Sequence, residues 1–295
     1  MPTPLLDPAF LRKLEALSLR SRRPIRTGVR GERRSRTLGR GMEFADYRSY
    51  QSGDDYRHID WSIYSRLDRL FVRLFSEDEE VNVHLLIDTS PSMVWGGPRK
   101  LDYAVQIAAA IGYVALANLD RVGAVTFGSR LQSLLPLQRS RSHIFRLFEF
   151  LGALTGPVQD ASSLRQVMRE YAHRTKRRGL LVIISDLLYP DGYEEGLALA
   201  RYDRFDPFVV QVLSEDELTP TVRGDARLVD SETGQTLDVS VDAPALEAYA
   251  QGRDAYFRDL EAFCLSHEID YIRTTTTIPV EDLILRYMRL GGLVQ

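Results

Sequence analysis

The chain has 295 residues, 44% hydrophobic and 27% charged, a balance that supports a sizeable core and excludes disorder throughout. A single cysteine, Cys264, excludes an internal disulfide, a cysteine zinc cluster and an iron–sulfur site, and fits a reducing compartment. The net charge of −3 hides a segment from Arg20 to Arg40 that holds nine arginines and one acid, Glu32, so the remainder is acidic.

The first ten residues lack the basic, apolar and small-residue succession of a secretory signal, so a cytoplasmic location is expected. Leu6, Phe10, Leu14 and Leu17 recur at helical spacing and predict a short amphipathic helix that needs a partner surface. The arginine segment, punctuated by Gly28, Gly31 and Gly39, has no apolar period and reads as an exposed loop. Residues 70–75 (LFVRLF) and 81–88 (VNVHLLID) are strand-like, and the second run ends on a carboxylate.

From there apolar strands and helical stretches alternate. A helix is predicted over 100–119, a strand over 122–127, an edge strand over 131–135, and helices over 142–151 and 164–173. The buried strand LLVIIS (180–185), a helix over 194–202 and a strand over 207–213 follow. The uncharged run from Tyr103 to Leu119 is rich in alanine and interrupted by Gln106 and Gly112, so it predicts a buried helix and no membrane span. A β-hairpin insertion is expected near 223–240, around Glu232-Thr233-Gly234. Residues 242–266 put Leu246, Tyr249, Ala250, Phe257, Leu260, Phe263 and Cys264 on one helical face behind an Asp242 cap. A strand over 270–273 and a helix from Pro279 to Gly291 end the chain.

Short apolar strands separated by helices imply right-handed crossovers. The expected fold class is therefore α/β: a doubly wound, mainly parallel sheet of Rossmann-like topology. Its expected bounds are 81–295, after an N-terminal extension over 1–80.

In such sheets functional groups gather beyond the carboxyl ends of the strands. Two strands here end in aspartate, giving Asp88-Thr89-Ser90-Pro91-Ser92 and Ser185-Asp186. A carboxylate followed at alternate positions by two hydroxyls offers three hard oxygen ligands, which suit Mg²⁺ or Mn²⁺. The same residues could serve only as turn and helix caps. No phosphate-binding loop, H-E-x-x-H or G-x-S-x-G motif is present, and the histidines (58, 84, 143, 173 and 267) are scattered, so no catalytic activity is expected.

The pattern resembles the von Willebrand factor A fold, with its metal-ion-dependent adhesion site of D-x-S-x-S, a distant threonine and a distant aspartate. The resemblance implies a metal site of Asp88, Ser90, Ser92, Ser162 and Asp186, with Mg²⁺ or Mn²⁺ as cofactor. Serine replaces threonine at 162, and Ser163 is the alternative hydroxyl. Upstream, Gly39-Arg-Gly-Met-Glu-Phe-Ala-Asp46, Arg48-Ser-Tyr50, Gly53-Asp-Asp-Tyr-Arg57 and Ile59-Asp-Trp61 resemble the signature of the domain-of-unknown-function 58 family. Read physically, this stretch interleaves charges of both signs with aromatics, as a salt-bridged brace or a docking surface would.

The family resemblance implies a non-enzymatic, metal-dependent protein-interaction module. Its implied partner is a MoxR-type AAA+ ATPase, in a chaperone-like or complex-maturation system, with an acidic residue of the partner meeting the metal. The alternative is nucleic-acid binding through arginines 20–40, whose phosphate contacts would be strongly salt-dependent.

Overall fold

The computed structural model describes residues 5–17, 19, 42–51, 53–54, 56–77, 81–154, 163–231, 234–287 and 293. The arginine segment 20–40, Ser162 and the expected helix end at Gly291 lie outside them. The chain divides into two compact units, Arg26–Glu80 and the remainder, Met1–Ile25 with Val81–Gln295.

Helix α1 (Pro8–Leu14) is capped by Asp7, whose side chain accepts the Ala9 N–H. It was expected in an extension ending at residue 80, but Leu6, Phe10 and Leu14 lie in the core of the α/β unit. The partner surface its apolar stripe requires is therefore that core, and each such side chain contributes about 1.5–3 kcal/mol by burial.

In the smaller unit, strands β1 (Met42–Ser49) and β2 (Phe71–Glu77) form an antiparallel pair, with helix α2 (Trp61–Leu67) between them in sequence. Arg48 pairs with Asp54 at 2.8 Å, Asp60 caps α2, and the Tyr47 hydroxyl donates to Asp60 at 3.0 Å. These contacts brace the segment internally. Strand β1 and helix α2 were not predicted.

The larger unit contains strands β3 (Asn82–Asp88), β4 (Arg121–Phe127), β5 (Leu131–Gln138), β6 (Leu180–Ser185) and β7 (Asp206–Leu213). A separate hairpin of β8 (Gly224–Val229) and β9 (Thr236–Val241) matches the expected insertion. Strand β10 (Asp270–Thr275) completes a six-stranded sheet in the order β10-β7-β6-β3-β4-β5. All neighbours are parallel except β4 and β5. The fold is the expected doubly wound α/β sheet, and its order reverses between β3 and β6.

Alternation along the strands divides the core. Val83, Leu85 and Ile87 of β3, with Leu180, Val182 and Ile184 of β6, feed one cluster. That cluster is covered by α1, α3 (Lys100–Ala117), α4 (His143–Gly152) and the residues from Val280 to Ile284. Leu86, Leu181 and Ile183 point the other way, toward α5 (Leu164–Arg174), α6 (Glu194–Tyr202) and α8 (Ala243–Ser266). Helix α3 is long and apolar enough to cross a membrane, yet 78% of it is buried in this unit. Gly112 lets α4 close on it, since a Cβ there would stand 2.3 Å from Leu147. Helix α8 turns the expected apolar face inward: Leu260 and Cys264 are buried, Leu246, Ala250, Phe257 and Phe263 half-buried, and Tyr249 alone of that set is exposed.

Candidate functional site

The order reversal between β3 and β6 opens a crevice at the carboxyl ends of both strands, where doubly wound folds place ligands. Asp88 ends β3 and Asp186 directly follows β6, so the topology brings both strand-end aspartates to this crevice.

Asp88 is fully buried. Its Oδ1 accepts the Ser90 N–H at 2.9 Å, and its Oδ2 accepts the Ser185 hydroxyl at 2.7 Å and the Tyr189 hydroxyl at 3.0 Å. Among the described residues it makes no ion pair. Burial, and then the nearby charge of Asp186, push its pKa up to about 6 against the opposing hydrogen bonds. Burial beside Asp88 likewise holds the Tyr189 phenol well above its ordinary value.

The loop after β3 alternates its side chains. Thr89 turns toward β4, donating to the Phe127 carbonyl at 2.9 Å, while the Ser90 and Ser92 hydroxyls meet at 3.0 Å. A short 3₁₀ turn (Pro91–Val94) carries the chain to Trp95, which is 63% exposed. Gly96, at φ +98°, then passes so close to the residue that follows β7 that a Cβ would lie 2.9 Å from the Ser214 Cβ. No other residue adopts this turn without strain.

Asp186 has different partners. Its Oδ1 accepts the Leu188 N–H at 3.1 Å, and its Oδ2 accepts the Lys100 ammonium at 2.8 Å. Lys100 is 0% exposed and donates a second hydrogen bond to Glu217. Burial alone would lower the lysine pKa, but the charges and hydrogen bonds of Asp186 and Glu217 outweigh it and raise the value. Glu217 belongs to the short helix α7 (Glu215–Leu218), and its Oε2 accepts the Ser214 N–H at 2.8 Å.

Ser163 does not join this group through any hydrogen bond. Its hydroxyl caps α5 by accepting the Gln166 N–H and donates to Asp191 at 2.6 Å. Ser162 lies outside the described residues, as do the arginines of the nucleic-acid alternative. Among the described residues no cluster of three or more His, Cys, Asp or Glu side chains is arranged to hold a metal. The donor set that fits a hard divalent cation is thus one carboxylate and two hydroxyls: Asp88, without a cationic partner among the described residues, beside the convergent Ser90 and Ser92 oxygens.

No sequence motif marks Lys100, Tyr189 or Glu217, and Ser185 is marked only as the neighbour of Asp186. One signal was available for Lys100: a lysine opening a long apolar helix opposes the positive end of the helix dipole, which calls for a compensating anion.

The family described as "Protein of unknown function DUF58" matches residues 46–256, well over half of the chain. An uncharacterized protein of Mycobacterium tuberculosis is 28% identical over 258 residues, 86% of this chain and 81% of the relative; one of Mycobacterium bovis matches equally. An uncharacterized protein of Mycobacterium avium is 33% identical over 35% of this chain and 61% of its own length. Among solved structures, conserved hypothetical protein BatB from Bacteroides thetaiotaomicron is 16% identical at a TM-score of 0.44, covering 72% of this chain and 98% of its own. The vWF domain of the type V pili tip protein Mfa5 from Porphyromonas gingivalis is 14% identical at 0.36, covering 72% and 96%.

Proposed function

We propose that this chain, which belongs to the DUF58 family, is a non-enzymatic protein-interaction module that holds Mg²⁺ or Mn²⁺ on Asp88, Ser90 and Ser92. The observation that carries this is the 3.0 Å approach of the Ser90 and Ser92 hydroxyls beside a buried carboxylate that makes no ion pair among the described residues. When bound, the cation would supply an open coordination position for a carboxylate of a partner protein, a strong contact that needs no turnover.

The surroundings support recognition of a protein. Trp95 is exposed on the loop that carries Ser90 and Ser92, and tryptophan is enriched among the residues that carry interface binding energy. A MoxR-type AAA+ ATPase is the proposed partner, in the cytoplasm. It would provide the nucleotide-driven step, for which the sequence has no phosphate-binding loop.

The test is a binding assay between the full chain and the ATPase, with and without EDTA, using wild type and Asp88→Ala. Chelation and the substitution should each weaken the complex and should not add, because both remove the same contact. A complex unaffected by either treatment would refute the proposal. If it were instead lost on replacing the arginines of 20–40 with glutamine, which keeps the core residues Leu6, Phe10 and Leu14, binding would belong to the arginine segment.

A further inference from the structure

Lysine is almost never fully buried unless paired, yet Lys100 is 0% exposed at the first position of α3. Its two acceptors are held independently of it. Asp186 is fixed by the Leu188 N–H, and Glu217 by the Ser214 N–H. The helix that carries Glu217 is tied to α8, where the Tyr249 hydroxyl donates to the Glu217 carbonyl at 2.7 Å and Arg253 donates to the Leu218 carbonyl. The ammonium therefore enters a prepared acidic seat.

The charges of the site do not close with Lys100 alone. The one ammonium meets two carboxylates, Asp186 and Glu217, while Asp88, which lies near enough to feel the charge of Asp186, makes no ion pair among the described residues. The carboxylates of the site thus outnumber its one ammonium.

We propose that Lys100 is the resident cation of the site: its ammonium holds Asp186 in the metal-free protein, leaves Asp88, Ser90 and Ser92 as the direct ligands, and sets the affinity for the divalent ion. This rests on the metal reading given above. Two consequences follow from electrostatics. The ammonium repels an incoming cation and occupies an oxygen of Asp186, so wild-type affinity is held down. Without the ammonium, a divalent ion becomes the counter-charge that Asp186 lacks.

The experiment is calorimetric titration of Mg²⁺ and Mn²⁺ into wild type, Asp88→Ala and Lys100→Met, with thermal melts of each with and without millimolar Mg²⁺. Lys100→Met should bind at least about tenfold more tightly than wild type, since it removes a like charge from Asp186, whose own charge reaches Asp88, in surroundings less polarisable than water. Its melting temperature should fall without metal and recover with Mg²⁺ by more than the wild type gains. A merely structural lysine would show the fall without the metal-specific recovery. If Lys100→Met does not fold, Lys100→Met/Glu217→Gln, which removes one charge of each sign, carries the same comparison. Failure of both variants to fold in millimolar Mg²⁺ would overturn the proposal, because the metal should replace the ammonium. Metal binding by wild type that is lost in Asp88→Ala but no tighter in Lys100→Met would overturn this inference alone. No binding by any folded variant would overturn the metal reading with it.

Discussion

Strand β3 carries two buried titratable side chains four residues apart, and they meet opposite circumstances. His84 lies among Tyr171 and Phe205, with ring centroids at 5.8 and 5.4 Å, and its Nδ1 shares a 2.7 Å hydrogen bond with the Tyr171 hydroxyl. Burial, with a smaller contribution from Arg178, lowers its pKa to about 3, so it is a neutral core residue. Asp88, at the carboxyl end of the same strand, is raised by burial and by Asp186 and stands beside two convergent hydroxyls and the Lys100 ion pairs. Equal burial thus gives a packed neutral group where aromatics surround it, and a prospective cation site where oxygens do.

Removing a charge should separate the two regions most sharply. In metal-free buffer Lys100→Met is expected to lose about 3–5 kcal/mol of stability, because a buried carboxylate is left without its counter-ion. Chemical denaturation measures this, and a loss under ~1 kcal/mol would mean that the pair is solvated and unlike the site described.

Titration addresses the other end of β3. Below pH 6.5 the imidazole of the unfolded chain takes up a proton that folded His84 refuses until about pH 3, so the unfolded state binds more protons. The stability that His84 contributes is complete above pH 6.5 and is lost progressively as pH falls toward 3, amounting to a few kcal/mol. Denaturation midpoints of wild type and His84→Phe across this window check it. Identical slopes would show that His84 protonates freely.

A smaller effect is expected from Tyr171→Phe, which leaves the His84 Nδ1 without its partner and should cost about 1–3 kcal/mol. Metal binding should be unchanged in this variant, because Tyr171 belongs to the neutral region. The smallest effect is expected at the exposed Arg227–Asp238 pair of the β8–β9 hairpin, where Arg227→Ala should leave the denaturation midpoint unmoved.

The same contrast explains what could be read from the sequence. LLVIIS (180–185) and the helix over 194–202 were predicted to the residue, because a strand buried on both faces is continuously apolar and a helix packing one face repeats at its own period. Asp88 and Asp186 were legible as carboxylates closing such strands. Strand β1 was not, since MEFADYRS mixes charges and aromatics and pairs with β2 alone among the described strands. Lys100, Tyr189 and Glu217 reach the site across 86, 101 and 117 residues of sequence separation respectively, so that even the local signal at Lys100 names no partner.

The most direct test of the central claim is calorimetric titration of Mn²⁺ or Mg²⁺, extended to millimolar concentration, into wild type and Asp88→Ala. A site with one direct carboxylate and two hydroxyls is expected to give saturable heat in the micromolar to millimolar range. That heat should disappear in a folded Asp88→Ala protein. Equal heats from the two proteins, or none from wild type, would contradict a metal centre at the end of β3.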